Sequence, residues 1–530
     1  MKIIKILFSR AYMVAILCGC GATLLSGCGK GYLNVNNNPN APTTGAAVLI
    51  FTNAEAQTAA TINGGDFFNV DYFMSYKSLV YLLYNISRNN YTSNDFTGVW
   101  SDCYHNLQDY STVESASKTN GAIFLVAAAK TMEALNFQML VDAYNNVPYS
   151  QALQLSAGIT NPAYDSGQVV YNGCIAKLDS AIAIFESDSL KIAGAYNPGS
   201  ADILFKGDIP SWVRLANTLK LRMLLHEVNV SSQASTIQSE IAKIAADMYG
   251  CLGAGQTAFV NPGYATDQSG HLSPLWSGIG YNINGGVTNN EQRANTYFIS
   301  KLAGLNDPRT PFFYCSTTDG KVEGNPTGQP NNANATYIGS GAGPAPSTPL
   351  PPPYGISGPA LYGILQSPTQ PAILVSSWES LFLQAEATHR GLLPGGDAAA
   401  KTYYEQAITD NFKYLNVYTD GTTTGSPGTF AATYYSQGIA NAGWNASPDK
   451  LQAIITQKYI SLCFTNNEEA WTDFRRTGFP ADLAISNDPA VLYPRVQRFI
   501  YPQSEYNANA DNVAKEGNVT LASPKIFWQQ

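Results

Sequence analysis

Charged side chains are scarce in this chain of 530 residues. Asp, Glu, Lys and Arg make up 13% of it, about half of the ~25% that is usual in soluble proteins. Lys and Arg number 30 against 38 acidic residues and no basic block occurs, which argues against a nucleic-acid-binding protein. The polar surface must come largely from Asn, Ser, Thr, Gln and Gly. Together with 32 Tyr, 22 Phe and 7 Trp, this composition favours neutral, hydroxyl-rich ligands over phosphates.

Cysteine patterns that would cross-link the fold or bind zinc are also missing. No C-x-x-C occurs, and the Cys residues that follow residue 30 are widely spaced and odd in number: Cys103, Cys174, Cys251, Cys315 and Cys463. This spacing indicates neither a disulfide framework nor a zinc site and favours buried free thiols. We therefore predict no metal and no cofactor.

Catalytic motifs are absent as well. The sequence contains no G-x-S-x-G, H-E-x-x-H or G-x-x-x-x-G-K-[ST]. Glu379 and Glu386 are seven residues apart, which places them ~10.5 Å apart along one helix face. Paired catalytic carboxylates of a glycosidase lie ~5–9.5 Å apart across an open cleft. We predict that the chain is not an enzyme, with a hydrolase of unfamiliar constellation as the alternative.

The first 28 residues have the layout of a bacterial export signal. Met1–Arg10 carries three basic side chains and no acid, and an apolar stretch from Ala11 to Leu25 follows. The stretch ends in Leu-Ser-Gly-Cys, which resembles a lipobox with Cys28 as the lipidated residue. We expect residues 1–27 to be removed and residues 28–44 to form a lipid-anchored tether without periodic structure.

Helical periodicity dominates from about residue 46 to 250 and again from about 376 to the end. Apolar residues recur every three or four positions along Leu125–Met139 and Trp212–Met223. Further helices are predicted near 166–186, 234–249, 376–390, 398–412 and 450–464. Between about 251 and 375 this periodicity fades, Gly, Pro and Asn accumulate, and aromatic residues are interspersed. We expect one body, residues 45–530, whose helical scaffold carries a loop-rich, ligand-facing lobe.

Two of the predicted helices share a small-large-small spacing. It is formed by Ala400, Tyr404 and Ala407 in one helix and by Cys174, Leu178 and Ala181 in the other. This is the spacing of the second helix of a tetratricopeptide repeat, where small residues let the paired helix approach. Ala385 fits the small position of a preceding first helix. The fold class predicted is mostly α, with a scaffold of tetratricopeptide-like helical pairs.

Several motifs then follow one another in a fixed order along nearly the whole chain. They are Leu140–Ala152 (LVDAYNNVPYSQA), Phe205–Arg222 (with GD, W and ANTLKLR), Asn306–Arg309 (NDPR), Glu379–Gly391, Glu469–Pro480 and Arg498–Glu505. Together they resemble the SusD/RagB-like family of outer-membrane nutrient-binding lipoproteins from Bacteroidetes. Phe205–Arg222 is the most specific match, whereas Asn145 stands where the first motif usually has Gly.

The resemblance implies a SusD-like α-superhelix with four tetratricopeptide-like pairs and a variable loop lobe. It also implies a non-catalytic outer-membrane lipoprotein that captures oligosaccharides and delivers them to a SusC-like TonB-dependent transporter, over which it closes as a lid. Peptides or another oligomer remain alternative cargoes, and a surface adhesion protein is a further alternative. Lipidation at Cys28 and a surface-facing position are expected, although Gly29–Gly31 lacks the acidic residues that often mark surface export.

The motifs themselves are interpreted as scaffold. Arg side chains among apolar helices need carboxylate or carbonyl partners. The Arg residues concerned are Arg222, Arg309, Arg475 and Arg476, and the predicted partners are Glu379, Glu386 and Asp473. Asn217 within a helix is expected to bond a neighbouring backbone group.

Ligand stacking requires an exposed ring face, so the loop-rich lobe is the expected location of the site. The candidates are the aromatic residues Trp276, Tyr281, Tyr314 and Tyr337 and the amide residues Asn282 and Asn284. The amides can both donate to and accept from hydroxyl groups. The alternative for the rings is a small core of the lobe itself. If the site lies elsewhere, the Tyr-rich segment 72–96 or the loops 418–447 are the next candidates.

Overall fold

The structure, a computed structural model, describes residues 44–81, 83–192, 194–286, 288, 291–314, 322–329 and 363–529. The chain divides into two units, Met1–Ala46 and Ala47–Gln530. Of the first unit only residues 44–46 are described, and the elements after α1 all belong to the second. The predicted signal peptide 1–27, the tether up to residue 43, Cys28 and Tyr337 lie outside the described residues.

Helices account for most of the described structure. In chain order they are α1 (Thr44–Ile62), α2 (Val70–Phe73), α3 (Tyr84–Ser87), α4 (Thr97–Asn120), α5 (Ile123–Tyr144), α6 (Gly167–Phe185), α7 (Asp188–Lys191), α8 (Ile209–His226), α9 (Ala234–Ala246), α10 (Pro274–Ile279), α11 (Thr296–Gly304), α12 (Thr310–Phe313), α13 (Ser377–His389), α14 (Gly396–Tyr414), α15 (Pro427–Tyr435), α16 (Lys450–Leu462), α17 (Asn467–Thr477), α18 (Gln503–Ala508) and α19 (Ala510–Val513). The helices predicted from periodicity match α5, α6, α8, α9, α13, α14 and α16. This confirms the mostly helical fold class.

Helix boundaries follow local chemistry. The Asp208 carboxylate accepts from the backbone N–H of Ser211 at 3.0 Å and caps α8, which satisfies a donor that the first turn leaves free. The last turn of α5 ends at Asn145, with φ 71°. This is the left-handed region that favours glycine. Asn tolerates it better than most residues, which explains how Asn145 replaces the usual Gly of the motif.

The long helices pack in pairs. Four pairs of consecutive helices are α5 with α6, α8 with α9, α13 with α14, and α16 with α17; α5 also packs closely against α4, and α8 packs against α6. The small-large-small residues of α6 and α14 and Ala385 of α13 are all buried, so the backbones of α13 and α14 approach closely. The tetratricopeptide-like interpretation of the sequence is confirmed by these pairs.

Helix α5 runs through the protein interior. All of its residues except Ile123 and Lys130 are buried. Within the described residues it is the helix that is long and apolar enough to cross a membrane, but most of that stretch is covered by protein. It is therefore packed as the core helix of a globular body.

Within the described residues, strands are short and form three two-stranded antiparallel ladders. They pair β1 (Lys77–Leu79) with β5 (Gln292–Ala294), β2 (Val147–Pro148) with β3 (Tyr164–Asp165), and β4 (Ala258–Val260) with β6 (Ala372–Val375). In the register of the first ladder Lys77 lies opposite Ala294, and Leu79 lies opposite Gln292. The β1–β5 ladder therefore ties the region 251–375 to the segment after α2, and the β4–β6 ladder joins the two ends of that region.

The predicted scaffold role of the motif arginines holds. Arg222 bonds Glu379, and Arg476 bonds Glu386 and Asp473, with all of these side chains buried. Burial raises the pKa of the Glu386 carboxyl, but the guanidinium groups of Arg476 and Arg390 lower it by more, to about 2.

Two other arginines use different partners. Arg309 donates to Asp307 at 2.6 Å and Arg475 donates to the backbone oxygen of Asp142 at 2.6 Å. The side-chain amide of Asn217 donates to the backbone oxygen of Gly250 at 3.1 Å, as expected. The polar residues of the motifs thus link helices that are far apart in the sequence.

Candidate functional site

The β1–β5 ladder brings together two loops that are far apart in sequence. The chain leaves β1 at Leu79 and enters β5 at Gln292, which lie opposite each other. The backbone N–H of Val80 continues the pairing by donating to Glu291 at 3.0 Å. Residues that follow β1 and residues that precede β5 therefore share one end of the ladder.

Side-chain amides hold this end in place. The Asn295 amide donates to the backbone oxygen of Lys77 at 3.4 Å and to the hydroxyl of Thr327 at 2.9 Å. Asn325 donates to the backbone oxygen of Leu79 at 3.2 Å. The segment 322–329 is thereby fastened to the ladder, and buried amides with satisfied bonds make a rigid base for the loops above it.

A third loop, residues 484–493, is fastened beside the first. Arg88 Nε donates to Asp488 at 3.0 Å, and the hydroxyl of Ser87 donates to the same carboxylate oxygen at 3.1 Å. The backbone N–H of Leu492 donates to Arg88 at 2.8 Å. We call the described residues of 80–89 and 484–493, together with Glu291, the ladder-end surface.

The ladder-end surface exposes large apolar side chains. Tyr81 is 39% exposed and Leu83 is 38% exposed, and on the third loop Ile485 and Leu492 are exposed as well. The hydrogen bond from the Tyr81 hydroxyl to the Glu291 carboxylate favours the neutral phenol and raises the pKa of Tyr81. The bond also orients the ring while part of it remains open to solvent. Exposed apolar groups clustered in this way mark an interaction surface.

The structure places the predicted site residues in two different environments. Trp276, on α10, is 1% exposed, and Tyr314 is fully buried with its hydroxyl donating to the backbone oxygen of Tyr76 at 2.6 Å. Neither ring has a free face on which a ligand could stack. Both rings belong to the main hydrophobic core of the protein: Tyr314 packs against Phe464, which lies just after α16, with ring centroids 5.9 Å apart. We therefore remove Trp276 and Tyr314 from the candidate site.

Tyr281, Asn282 and Asn284 lie on the loop that follows α10 and leads to β5. Tyr281 is half-buried, with its ring centroid 5.5 Å from that of Trp276. Asn282 is exposed, but its side-chain oxygen accepts from the backbone N–H of Asn284 at 2.9 Å and of Gly286 at 3.1 Å. Its acceptor is thus used to shape the turn. The exposed side chain of Asn284 remains the better candidate for contacting a ligand hydroxyl.

Tyr81 and Leu83 are the residues that the first choice of site missed. They fall within the Tyr-rich segment 72–96, which was the alternative location. The pairing of Lys77 with Ala294 places the segment 72–96 next to β5, the strand that follows the predicted site residues of the lobe. No local pattern in the sequence reveals that pairing.

These loops offer ring faces, an amide and a carboxylate. No group of three or more His, Cys, Asp or Glu side chains that could hold a metal occurs among the described residues. Glu379 and Glu386, the paired glutamates considered above, are buried in ion pairs with Arg222 and Arg476. These groups can bind a ligand by stacking against its apolar faces and by hydrogen bonding to its hydroxyl groups.

Comparison with solved structures identifies the fold. A SusD homologue from Bacteroides fragilis NCTC 9343 superposes with a TM-score of 0.69 at 21% identity, over 91% of this chain and 99% of that one. A SusD/RagB family protein from Bacteroides thetaiotaomicron VPI-5482 gives 0.69 at 21% identity, over 91% and 98%. A chitin-binding SusD homologue from Flavobacterium johnsoniae gives 0.68 at 20% identity, over 90% and 98%.

Comparison with curated proteins gave no match. A family model did match: the SusD-like model described as "Starch-binding associating with outer membrane" covers residues 38–502. That range includes each of the ordered motifs except the last residues of the final one. It also includes all four helical pairs and the ladder-end surface. The chain therefore belongs to the SusD-like family.

Proposed function

We propose that this protein is a lipid-anchored outer-membrane protein that captures oligosaccharides on its ladder-end surface and passes them to a SusC-like TonB-dependent transporter. The family description, starch-binding and associating with the outer membrane, is the observation that carries the proposal. The chitin-binding relative from Flavobacterium johnsoniae adds support for a glycan cargo. Proteins of this family bind carbohydrate and are not enzymes, in agreement with the prediction from the sequence.

In this proposal the ladder-end surface and the loop 281–286, which leads to β5, supply the contacts for such a ligand. The exposed part of Tyr81 and the half-buried ring of Tyr281 present apolar faces to the C–H faces of sugar rings. Asn284 and the Glu291 carboxylate donate to or accept from hydroxyl groups. Because the loops rest on the ladder and on segment 322–329, little conformational entropy is lost when a ligand binds. No covalent bond changes during capture.

The anchor and the partner complete the proposal. Acyl chains on Cys28 hold the body at the outer membrane, and the protein faces the cell surface, where it closes over the transporter barrel. Passing a captured glycan to that barrel needs only that the ligand be released when the lid closes. A peptide or another oligomer as cargo is the second candidate, because the half-polar surface also suits a peptide backbone.

A binding screen on residues 29–530 tests the cargo. We expect immobilised or soluble maltooligosaccharides or chitooligosaccharides to bind, and peptides of similar length not to bind. Tyr81→Ala and Tyr281→Ala should each weaken binding by about tenfold or more, since aromatic anchors typically contribute ~2 kcal/mol. Met248→Ala is the matched control, because Met248 is 80% exposed on a different part of the chain.

Three outcomes would contradict parts of the proposal. Wild-type affinity in both Tyr variants would place the glycan site elsewhere. Binding of peptides in preference to glycans would replace the cargo. Purification of the native protein from membranes without a TonB-dependent barrel, under conditions that keep outer-membrane complexes intact, would remove the transporter from the proposal.

A further inference from the structure

A cavity of about 480 Å³ lies apart from the ladder-end surface. It is enclosed by residues 254–259 around β4, by residues 366–371 before β6, by the start of α13 and by the end of α14. Its size falls within the ~300–1,000 Å³ typical of small-ligand sites. Since four separate stretches of chain form its walls, the cavity is a product of the tertiary fold.

Aromatic rings form one wall of the cavity. The rings of Phe259 and Tyr414 are nearly parallel, with centroids 6.4 Å apart and an interplanar angle of 27°. Both side chains are half-buried, so part of each ring remains accessible. Trp378 packs behind Tyr414 with ring centroids 4.8 Å apart and is itself 1% exposed. The wall is thus a two-ring platform with a rigid support.

Hydrogen-bonded side chains form the floor. The hydroxyl of Thr257 donates to Ser377 at 3.1 Å, and the hydroxyl of Ser377 donates to Asp410 at 2.8 Å. The same oxygen of Asp410 accepts from the backbone N–H of Gly255 at 2.6 Å. These bonds fix the orientation of the carboxylate before any ligand arrives, which reduces the entropic cost of binding.

Other polar groups of the lining are free to bond a ligand. The Gln366 amide nitrogen donates to the backbone oxygens of Gly363 and Tyr414, at 3.3 and 2.6 Å. Across the described part of the chain, no protein partner is found for the Gln366 side-chain oxygen, the Tyr414 hydroxyl or the Lys413 ammonium. The Gln366 oxygen can accept hydrogen bonds, the Tyr414 hydroxyl can donate and accept them, and the Lys413 ammonium can donate them. Sugar hydroxyls require this mixture of donors and acceptors.

The charges of the lining point to a neutral ligand. Asp410 and Lys413 are three residues apart on α14, where side chains lie on the same face of a helix, and both line the cavity. Their opposite charges cancel, so a ligand of either sign meets one attractive and one repulsive group. Indole nitrogen Nε1 of Trp378 is buried and has no hydrogen-bond partner among the described residues, which adds one more unused donor to this region.

We propose that this cavity is a second sugar-binding site, which takes one end of a short neutral oligosaccharide. Phe259 and Tyr414 stack on the ring faces, and Gln366, Tyr414 and Lys413 bond the hydroxyl groups. The site stands on different residues from the ladder-end surface, so each can fail without the other. Two sites on one chain would hold a long glycan at two points and raise its apparent affinity.

Calorimetry on residues 29–530 tests the proposal, with maltopentaose, chitopentaose, cellopentaose and xylopentaose as neutral probes and pentagalacturonate as the acidic probe. Ala254→Trp fills the mouth of the cavity from an exposed position. Tyr414→Phe removes only the hydroxyl. Their matched controls are Ala245→Trp, on the exposed side of α9, and Tyr403→Phe, on α14 outside the lining. Thermal unfolding checks that each variant is folded.

We expect a neutral probe to occupy two sites on the wild-type chain and one site on Ala254→Trp. Tyr414→Phe should weaken one of the two sites by about five- to tenfold, the effect of one lost hydrogen bond. Both controls should bind as the wild type does. Tyr81→Ala should weaken the other site by about tenfold or more and leave unchanged the site that Ala254→Trp blocks.

Unchanged stoichiometry in Ala254→Trp overturns the cavity site, whatever happens at Tyr81. Tighter binding of pentagalacturonate than of every neutral probe overturns the assignment of a neutral ligand. Failure of all four neutral probes to bind the cavity overturns the proposal as well. If binding is sensitive to Tyr81→Ala alone, the cavity proposal fails while the proposed function stands.

Discussion

The guanidinium of Arg476 donates two parallel hydrogen bonds to the carboxylate of Glu386, at 2.7 and 2.6 Å. The two residues lie 90 positions apart, on α17 and α13, and both are buried. A bidentate pair fixes the orientation of both groups. It joins a helix of the third tetratricopeptide-like pair to a helix of the fourth, and so helps to fix how these two pairs pack, together with the bond from Asn466 to Glu379 at 3.0 Å.

Arg476→Met should therefore destabilise the protein by ~3–5 kcal/mol, the usual cost of breaking a buried ion pair from one side. The variant leaves the carboxylates of Glu386 and Asp473 buried with less compensation. Urea unfolding followed by circular dichroism measures the change. Arg390→Met is the matched control, because Arg390 also bonds Glu386, at 2.8 Å, but is partly exposed. We expect it to cost ~0–1 kcal/mol. Equal costs in the two variants would contradict the special role of the Arg476 pair.

His226 should make the protein less stable as the pH becomes alkaline. Burial lowers the pKa of the His226 imidazole, but Glu469 and Asp142 raise it by a larger amount. The pKa is therefore about 9 instead of its ordinary 6.5. A group whose pKa is raised in the folded state contributes stability below its ordinary pKa, and this contribution is lost as the pH rises through the folded value. Stability should therefore fall between pH 6.5 and 9.

The urea midpoint of the wild type at pH 6.5, 8 and 9 measures this fall. His226→Gln should be less stable than the wild type at pH 6.5, because it leaves Glu469 and Asp142 without the cation. Over the same pH range it should lose less stability than the wild type. A variant with the full wild-type slope would show that the slope has another source, such as Glu468, whose pKa burial raises to about 8.

Trp212→Ala should cost ~3–5 kcal/mol, because removal of a large buried ring leaves a cavity. Trp212 is fully buried, and its indole N–H donates to Asp202 at 2.7 Å. Ligand affinity of the folded fraction should stay at the wild-type level. Trp212→Phe keeps most of the ring volume and should cost less. Full stability combined with lost binding would instead make Trp212 part of the ligand site.

The sequence was informative wherever a residue acts through its own helix or motif. Apolar periodicity located α5 and α8, and small residues in α6 and α14 indicated the helical pairs. The order of the motifs indicated the family. Long-range contacts could not be predicted from the sequence, because no pattern in it shows that Lys77 pairs with Ala294. For the same reason the cavity beneath β4 and β6 could not be predicted, since its lining comes from four separate stretches.

The prediction of which aromatic rings of the lobe are exposed was wrong for a related reason. Gly and Pro content marks an irregular region, but it does not tell which aromatic residues face solvent. Trp276 and Tyr314 are buried because they pack into the main core that the helices form, as the contact of Tyr314 with Phe464 shows. The amide of Asn282 was expected to bond a ligand, yet the turn that it shapes uses its oxygen first.

Lipidation of Cys28 remains a prediction from the sequence. The basic start, the apolar stretch and the Leu-Ser-Gly-Cys ending all favour it. Mass spectrometry of the protein extracted from membranes should show a chain that begins at a diacylglyceryl-modified Cys28. Cys28→Ala should be lost from the membrane fraction. An unmodified Cys28 in a secreted, soluble form would contradict the prediction.

Trp276 and Tyr281 provide a last test, because they are five residues apart yet occupy different environments. Trp276 is 1% exposed, so Trp276→Ala should cost ~3–5 kcal/mol of stability while the folded fraction binds glycan at the ladder-end surface within about twofold of the wild type. Tyr281→Ala should cost less stability, because the ring is half-buried, and should weaken binding by about tenfold. Thermal unfolding and calorimetry with the same oligosaccharide separate the two effects. The reverse result, in which Trp276→Ala stays stable and loses binding, would mean that the ring of Trp276 turns outward when a ligand is present and belongs to the site after all.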